Sequence, residues 1–274
     1  MNHNNSIGVF DSGYGGLTVF KSIAEQLPQY NYIYFGDNAR SPYGDRPFET
    51  VYRYTLECVE WLFAQGCPLV ILACNTASAK ALRSIQQNVL PYKYPGRRVL
   101  GVIRPTAEVV GQYTSSQTIG VMGTRGTVNS ESYLMEIHKF FPELKVFQQS
   151  CPMWVPLVEN NEHLDSGADF FVEKYIRQLL EKDDQIDCIL LACTHYPLLF
   201  HKIRAALPAH ISLLGQGEIV ADSLANYLER HSEIEQKLCA ESKKLFYTSG
   251  DATAFDSQAS IFFGEEVKST QIAL

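Results

Sequence analysis

The sequence predicts an α/β protein made of two similar halves with mostly parallel sheets, facing each other across a cleft. Three observations carry this. Short apolar, β-rich runs alternate with stretches of helical periodicity along the chain. One such unit occurs twice: "VILACNTAS" at 70–78 and "ILLACTHYP" at 189–197 both set Ala-Cys after an apolar run and before a hydroxyl-rich stretch. A chain of 274 residues, 46% apolar and 19% charged, also has room for two ordinary domains with their own cores.

The elements follow in order. "IGVFDSG" reads as a first strand, "LTVFKSIAEQLP" as a helix and "YNYIYFGD" as a second strand. "FETVYRYTLECVEWLFAQG" has apolar residues at helical spacing and stops at Gly66, a C-cap signal. "PLVILAC" reads as a fully buried parallel strand, and "TASAKALRSIQQNVL" as the helix that follows it. "RRVLGVI", "QTIGVMGT", "LKVFQQS" and "QIDCILLAC" repeat the same grammar. "PYKYPGRR" at 91–98, with Pro, Gly and charge, makes a hinge, and a second crossing falls within 206–218. The expected division is residues 1–97 plus 210–274 for a discontinuous first domain, with "LFYTSGD" returning to it, and 98–209 for the second.

Bulk properties narrow the function classes. A net charge of -7 argues against broad attraction to nucleic acid or anionic membrane. The N-terminal "MNHNNSIGVF" lacks the basic start and long apolar stretch of a signal peptide, and no run approaches a membrane span. The count of 7 cysteines is odd, and no C-x-x-C pair or zinc-finger spacing is present. A cytoplasmic protein with reduced thiols and no metal site is expected.

In open α/β sheets ligands bind at the carboxyl ends of strands. Cys74 and Cys193 both fall there, each just before a helix start whose unpaired N–H groups favour a carboxylate and a thiolate. Thiols at such positions would titrate near neutral pH. Asn75, Thr76 and Thr194 place short donors beside the sulfurs. "DSGYGG" brings Asp11 and Ser12 to a third strand end, "GTRGT" brings Thr124 and Thr127 to a fourth, and the loop "FGDNARSPYG" could aim Tyr43 and Gly44 at an anion. Glu159, after "VPLVE", could orient a neighbouring acid or base, and His195 lies two residues after Cys193. Each residue taken singly has an ordinary alternative: a buried apolar cysteine, a capped turn, a surface carboxylate, a structural histidine. Cys58, Cys67, Cys151, Cys188 and Cys239 keep that ordinary reading.

Taken together, "DSGYGGLTV", "YFGDNARSPYG", "LACNTAS", "VPLVE" and "LACTHYPLL" resemble, in order, the motif series of the glutamate racemases, cofactor-independent amino-acid racemases. The resemblance implies two pseudo-symmetric α/β domains with the active site in the cleft between them, and a two-base racemisation without pyridoxal phosphate or other cofactor. Cys74 would take the α-proton from D-glutamate and Cys193 from L-glutamate, with Asp11 supporting Cys74, and His195 and Glu159 supporting Cys193. It carries substrate contacts to Asp11, Ser12, Tyr43, Gly44, Asn75, Thr76, Thr124, Thr194 and His195. It also implies a homodimer, a supply of D-glutamate to peptidoglycan, and a role for a cell-wall precursor as activator that the sequence leaves open. Arg104 in "GVIRPTAE" and the segment "LLGQGE" depart from the family pattern. Three other readings remain: an aspartate racemase, against which stands His195 after Cys-Thr; a non-catalytic module closing on an anionic solute; and a Cys–His hydrolase that needs only one cysteine.

Overall fold

The computed structural model describes residues 5–274. Among these residues ten strands form two sheets, and every strand pairing is parallel. The first sheet holds β1 (Ile7–Asp11), β2 (Tyr32–Gly36), β3 (Leu69–Leu72), β4 (Arg98–Gly101), β9 (Lys244–Thr248) and β10 (Ser269–Gln271), in the order β10-β9-β2-β1-β3-β4. The second holds β5 (Thr118–Gly123), β6 (Lys145–Ser150), β7 (Cys188–Ala192) and β8 (Ser212–Leu214), in the order β6-β5-β7-β8. The run β2-β1-β3-β4 is therefore matched, strand for strand, by β6-β5-β7-β8. The duplicated Ala-Cys follows β3 in one sheet and its counterpart β7 in the other.

Sheet membership moves both crossings later than the sequence-based division. β4, expected to open the second domain at residue 98, pairs with β3 in the first sheet. β8, expected beyond residue 210 in the first domain, pairs with β7 in the second. "LFYTSGD" does return to the first sheet, as β9 beside β2. The helix expected across "TASAKALRSIQQNVL" is broken into Asn75–Lys80, Leu82–Asn88 and Leu90–Lys93. Pro91 accounts for the second break: it cannot donate to the preceding turn, and Val89 departs from helical geometry at φ -116.

The central strands β1, β3, β5 and β7 are buried throughout, as strands covered on both faces must be. The Gly16–Gln26 helix buries Leu17, Val19, Phe20 and Ile23 and packs against helices Gly217–Arg230 and Ala252–Phe263. Phe20 lies among the rings of Tyr32, Tyr34, Phe246 and Phe263. The long Phe48–Ala64 helix ends as its sequence predicts, with Gly66 at φ 95. One apolar cluster runs without interruption from β1 to Trp154, Leu191 and Tyr196 of the second half. The two halves thus share a core at their base, which fixes the walls of the cleft above it. No helix among the described residues is long and apolar enough to cross a membrane. All seven cysteines are free.

Candidate active site

The carboxyl ends of β1, β3, β5 and β7 converge on one cavity of about 80 Å³, lined by Cys74 from the first sheet and Cys193 from the second. Sites for drug-sized ligands run to roughly 300–1,000 Å³, so a cavity this tight suits a molecule of amino-acid size. The two sulfur-bearing residues are 6% and 5% exposed, so a bound molecule would meet them with little water between. A larger, more open hollow of about 380 Å³, edged by Lys93, Arg97 and Lys237, lies at the opposite, amino ends of β1, β3 and β4. It holds none of the chemistry, as the rule for parallel sheets anticipates.

The first wall is built on Cys74, which caps helix Asn75–Lys80: its Sγ accepts from the Ala77 N–H at 3.4 Å and lies 3.5 Å from Ser12 Oγ. Asp11 closes β1 beneath it, its Oδ1 accepting from the Gly13 N–H at 2.8 Å, while Oδ2 is buried with no hydrogen-bond partner. Burial raises the Asp11 carboxyl above its ordinary pKa, against the pull of the nearby His195 charge. Burial, followed by the Asp11 charge, pushes the Cys74 thiol up to about 12, and the bonds from Ser12 and Ala77 only partly offset this. The expectation of a helix-activated Cys74 thiolate near neutral pH is therefore reversed: one helical turn's dipole does not outweigh desolvation beside a carboxylate. At rest Cys74 is a thiol.

The second wall is built differently. Cys193 Sγ lies 3.9 Å from His195 Nδ1, and His195 Nε2 lies 3.0 Å from Glu159 Oε1 at the end of helix Trp154–Glu159. Burial alone would lower the imidazole pKa. Its hydrogen bonds and charge pairing with Cys193 and Glu159 prevail and hold it up at about 10. A protonated imidazolium beside Cys193 supplies the cation that Cys74 lacks. One sulfur thus faces a carboxylate and the other an imidazolium.

Between the walls, Thr76 Oγ1 meets Thr124 Oγ1 at 3.0 Å and Thr127 Oγ1 at 3.5 Å, joining the two sheets' strand ends. Thr124 also caps the Arg125–Asn129 helix, accepting from Thr127 N–H at 3.2 Å. The Gly44 carbonyl accepts from Gly126 N–H at 2.8 Å, a second tie across the cleft.

Comparison with known proteins gives this geometry a family. The model described as "Asp/Glu/Hydantoin racemase" matches residues 7–222. A glutamate racemase of Enterococcus faecalis is 37% identical over 100% of this chain and 98% of its own length. The chain belongs to the Asp/Glu/hydantoin racemase family. Among solved structures, a glutamate racemase from Bacillus anthracis superposes with TM-score 0.89 at 33% identity, covering 100% of this chain and 99% of that one. One from Francisella tularensis, in complex with D-glutamate, superposes with TM-score 0.87 at 29% identity, covering 99% and 98%. An aspartate racemase from Picrophilus torridus reaches 0.54 at 18% identity, over 82% of this chain and 94% of that one, a likeness of fold alone.

Against the racemase pattern, the cavity gathers Ser12, Tyr43, Gly44, Cys74, Asn75, Thr76, Thr124, Glu159, Cys193, Thr194 and His195, while Asp11 stands just behind it. Tyr43 differs from expectation in one respect. It lines the cavity, but its hydroxyl donates to Asp37 Oδ2 and is spent on that carboxylate instead of on a bound anion. Arg104 stays off the cavity lining, paired with Glu108 at 2.9 Å on the surface. Sequence reading missed Cys151, Pro152, Val155 and Pro156, which form an apolar side of the cavity, and Arg125 and Asp45, an exposed ion pair at 3.3 Å on its lining. Arg125 sits inside the quoted "GTRGT", and Val155 and Pro156 inside "VPLVE"; Cys151, Pro152 and Asp45 carry no local signal.

Proposed function

We propose that this chain is a glutamate racemase acting through two thiols, and that it supplies D-glutamate for peptidoglycan from the cytoplasm. The observation that carries the proposal is that Cys74 and Cys193, at equivalent strand ends of separate sheets, line one small cavity. An amino-acid α-proton is a very weak acid, and inversion needs a base on one face of Cα and an acid on the other. With L-glutamate bound, Cys193 as thiolate, held by the His195 imidazolium, takes the α-proton, and the thiol proton of Cys74 goes to the opposite face. The cycle leaves Cys193 protonated and Cys74 ionised, the state that handles D-glutamate. Charge developing on the α-carboxylate falls to fixed donors such as Asn75, Thr76 and Thr194, stabilisation that needs no reorganisation during the reaction. Asp11 holds the Cys74 proton in place until that moment. The family resemblance further suggests a homodimer.

The test is isotope uptake. In deuterated water, either enantiomer of glutamate should give product of opposite hand with deuterium at Cα, and aspartate should react far more slowly. Cys74→Ala and Cys193→Ala should each lose about 10²–10⁴-fold in turnover, the typical worth of one acid–base group, while still unfolding cooperatively. Product that keeps its original hydrogen, or turnover that survives loss of either cysteine, would overturn the two-thiol reading.

A further inference from the structure

The residue after Cys74 is held by a ring of hydrogen bonds that the racemase motifs do not contain. Asn75 Nδ2 donates to Gln216 Oε1 at 2.6 Å, Gln216 Nε2 donates to the Tyr133 hydroxyl at 2.6 Å, and that hydroxyl donates to Asn75 Oδ1 at 2.6 Å. The three members come from three places: the helix after β3, the crossing after β8, and helix Ser132–Phe140 of the second half. Asn75 and Gln216 are each 3% exposed and Tyr133 is 0%, so water does not compete for these bonds.

The direction of the ring is fixed from outside it. Gln216 Nε2 also lies 3.0 Å from Thr106 Oγ1 and 3.3 Å from the Val102 carbonyl. Thr106 gives its own hydroxyl proton to that carbonyl at 2.9 Å, so it offers Gln216 only lone pairs. Two acceptors therefore hold the amide nitrogen of Gln216 toward them and leave its oxygen for Asn75. The Tyr133 oxygen, the nearest of the three acceptors, takes one Gln216 hydrogen while Thr106 and Val102 share the other, and it gives its own proton to Asn75 Oδ1. Burial keeps that phenol protonated. Asn75 is left with its carbonyl occupied and with the second hydrogen of Nδ2 free on the residue that lines the cavity.

We propose that Gln216 is a positioning residue that, with Tyr133 and Thr106, sets the polarity of Asn75 so that it presents a hydrogen-bond donor to a carboxylate of the substrate. This rests on the racemase reading. An unpinned Asn75 amide would have to be oriented and ordered by the substrate itself, at a cost to binding.

Gln216→Met keeps the side chain's length and removes its polarity. KM for both enantiomers should rise about ten- to a hundredfold, the worth of one hydrogen bond to a charged group, with kcat within about threefold of the parent. Tyr133→Phe removes two of the ring's three bonds but leaves Asn75 Nδ2 bonded to Gln216 Oε1, and should move KM the same way by less; it carries the test should Gln216→Met fail to fold. In an Asn75→Ala background the KM effect of Gln216→Met should vanish, since its only route to the substrate is gone. A folded Gln216→Met or Tyr133→Phe with parental KM overturns the proposal. So does a loss confined to kcat or melting temperature, or an effect undiminished by Asn75→Ala. A parent enzyme that does not exchange the α-hydrogen of glutamate would instead refute the racemase reading itself.

Discussion

Gly15, in the turn that leads from β1 into the Gly16–Gln26 helix, tests how closely the two walls must meet. Its backbone is ordinary right-handed helical, φ -56 and ψ -38, so alanine is tolerated there by conformation. Space is the difficulty. A methyl group on Gly15 would lie 2.3 Å from Thr194 Oγ1 and 2.5 Å from His195 Nδ1, whereas ordinary contact begins at 3.4 Å. Relief requires the imidazole or the turn to recede by about 1 Å, and a displacement of that size at a reacting group costs about 10²-fold in rate. His195 cannot swing aside freely: it is 6% exposed and anchored to Glu159. Gly15→Ala should therefore lose about 10²-fold in kcat/KM, measured by circular dichroism of glutamate inversion. Glutamate enantiomers have equal free energy in water, so the loss must be the same in both directions, a check internal to the assay. Gly167→Ala, whose methyl would touch nothing within 4 Å, is the control and should be silent. A Gly15→Ala enzyme with parental kcat/KM would show that the imidazole beside Cys193 is not needed at its observed place.

Two further outcomes follow from the same coordinates. Because His195 rises from 6.5 to about 10 in the fold, its pairing stabilises the protein fully below pH 6.5, and that contribution disappears as pH climbs through about 10. Glu159→Gln removes one source of the rise: the alkaline limb of activity should move down by about 1–3 pH units, and the melting-temperature deficit of the variant should be largest at about pH 6 and close near pH 10. An alkaline limb that stays put would remove Glu159 from the site's electrostatics. In the core, Phe20→Ala should cost about 3–5 kcal/mol in denaturant unfolding, the usual result of emptying a fully buried aromatic site; a loss under about 1 kcal/mol would mean that the cluster of rings around it does not hold the first half together.

The α/β class and the pairing of the two cysteine segments were legible because buried parallel strands are continuous apolar runs, and such a run needs no distant partner to be recognised. β8 and β10 were not: three residues each, at or near the sheet edges, they show no pattern until β7 and β9 are in place beside them. Within the site, strand-end position was readable but orientation was not. Tyr43 turns to Asp37, and Gln216 finds Asn75 across 141 residues of chain, and neither contact leaves a local trace.

The same limit hid the difference between the two sulfurs. Both follow Ala at a strand end and precede a polar turn; His195, two residues after Cys193, is a local difference whose charge is not readable until Glu159 is seen beside it. In the fold burial, with the Asp11 charge added, keeps Cys74 protonated, while His195, with Glu159 behind it, holds a charge beside Cys193. The empty site therefore sets a carboxylate beside one sulfur and a cation beside the other. A catalyst for mirror-image substrates is thus built from walls that are not mirror images. Equal substrate free energies still force equal kcat/KM in the two directions. The asymmetry of the walls must then emerge at saturation, as unequal kcat values balanced by equally unequal KM values, and a pair of identical progress curves at high substrate would mean that the bound substrate's own charges erase the difference the empty site displays.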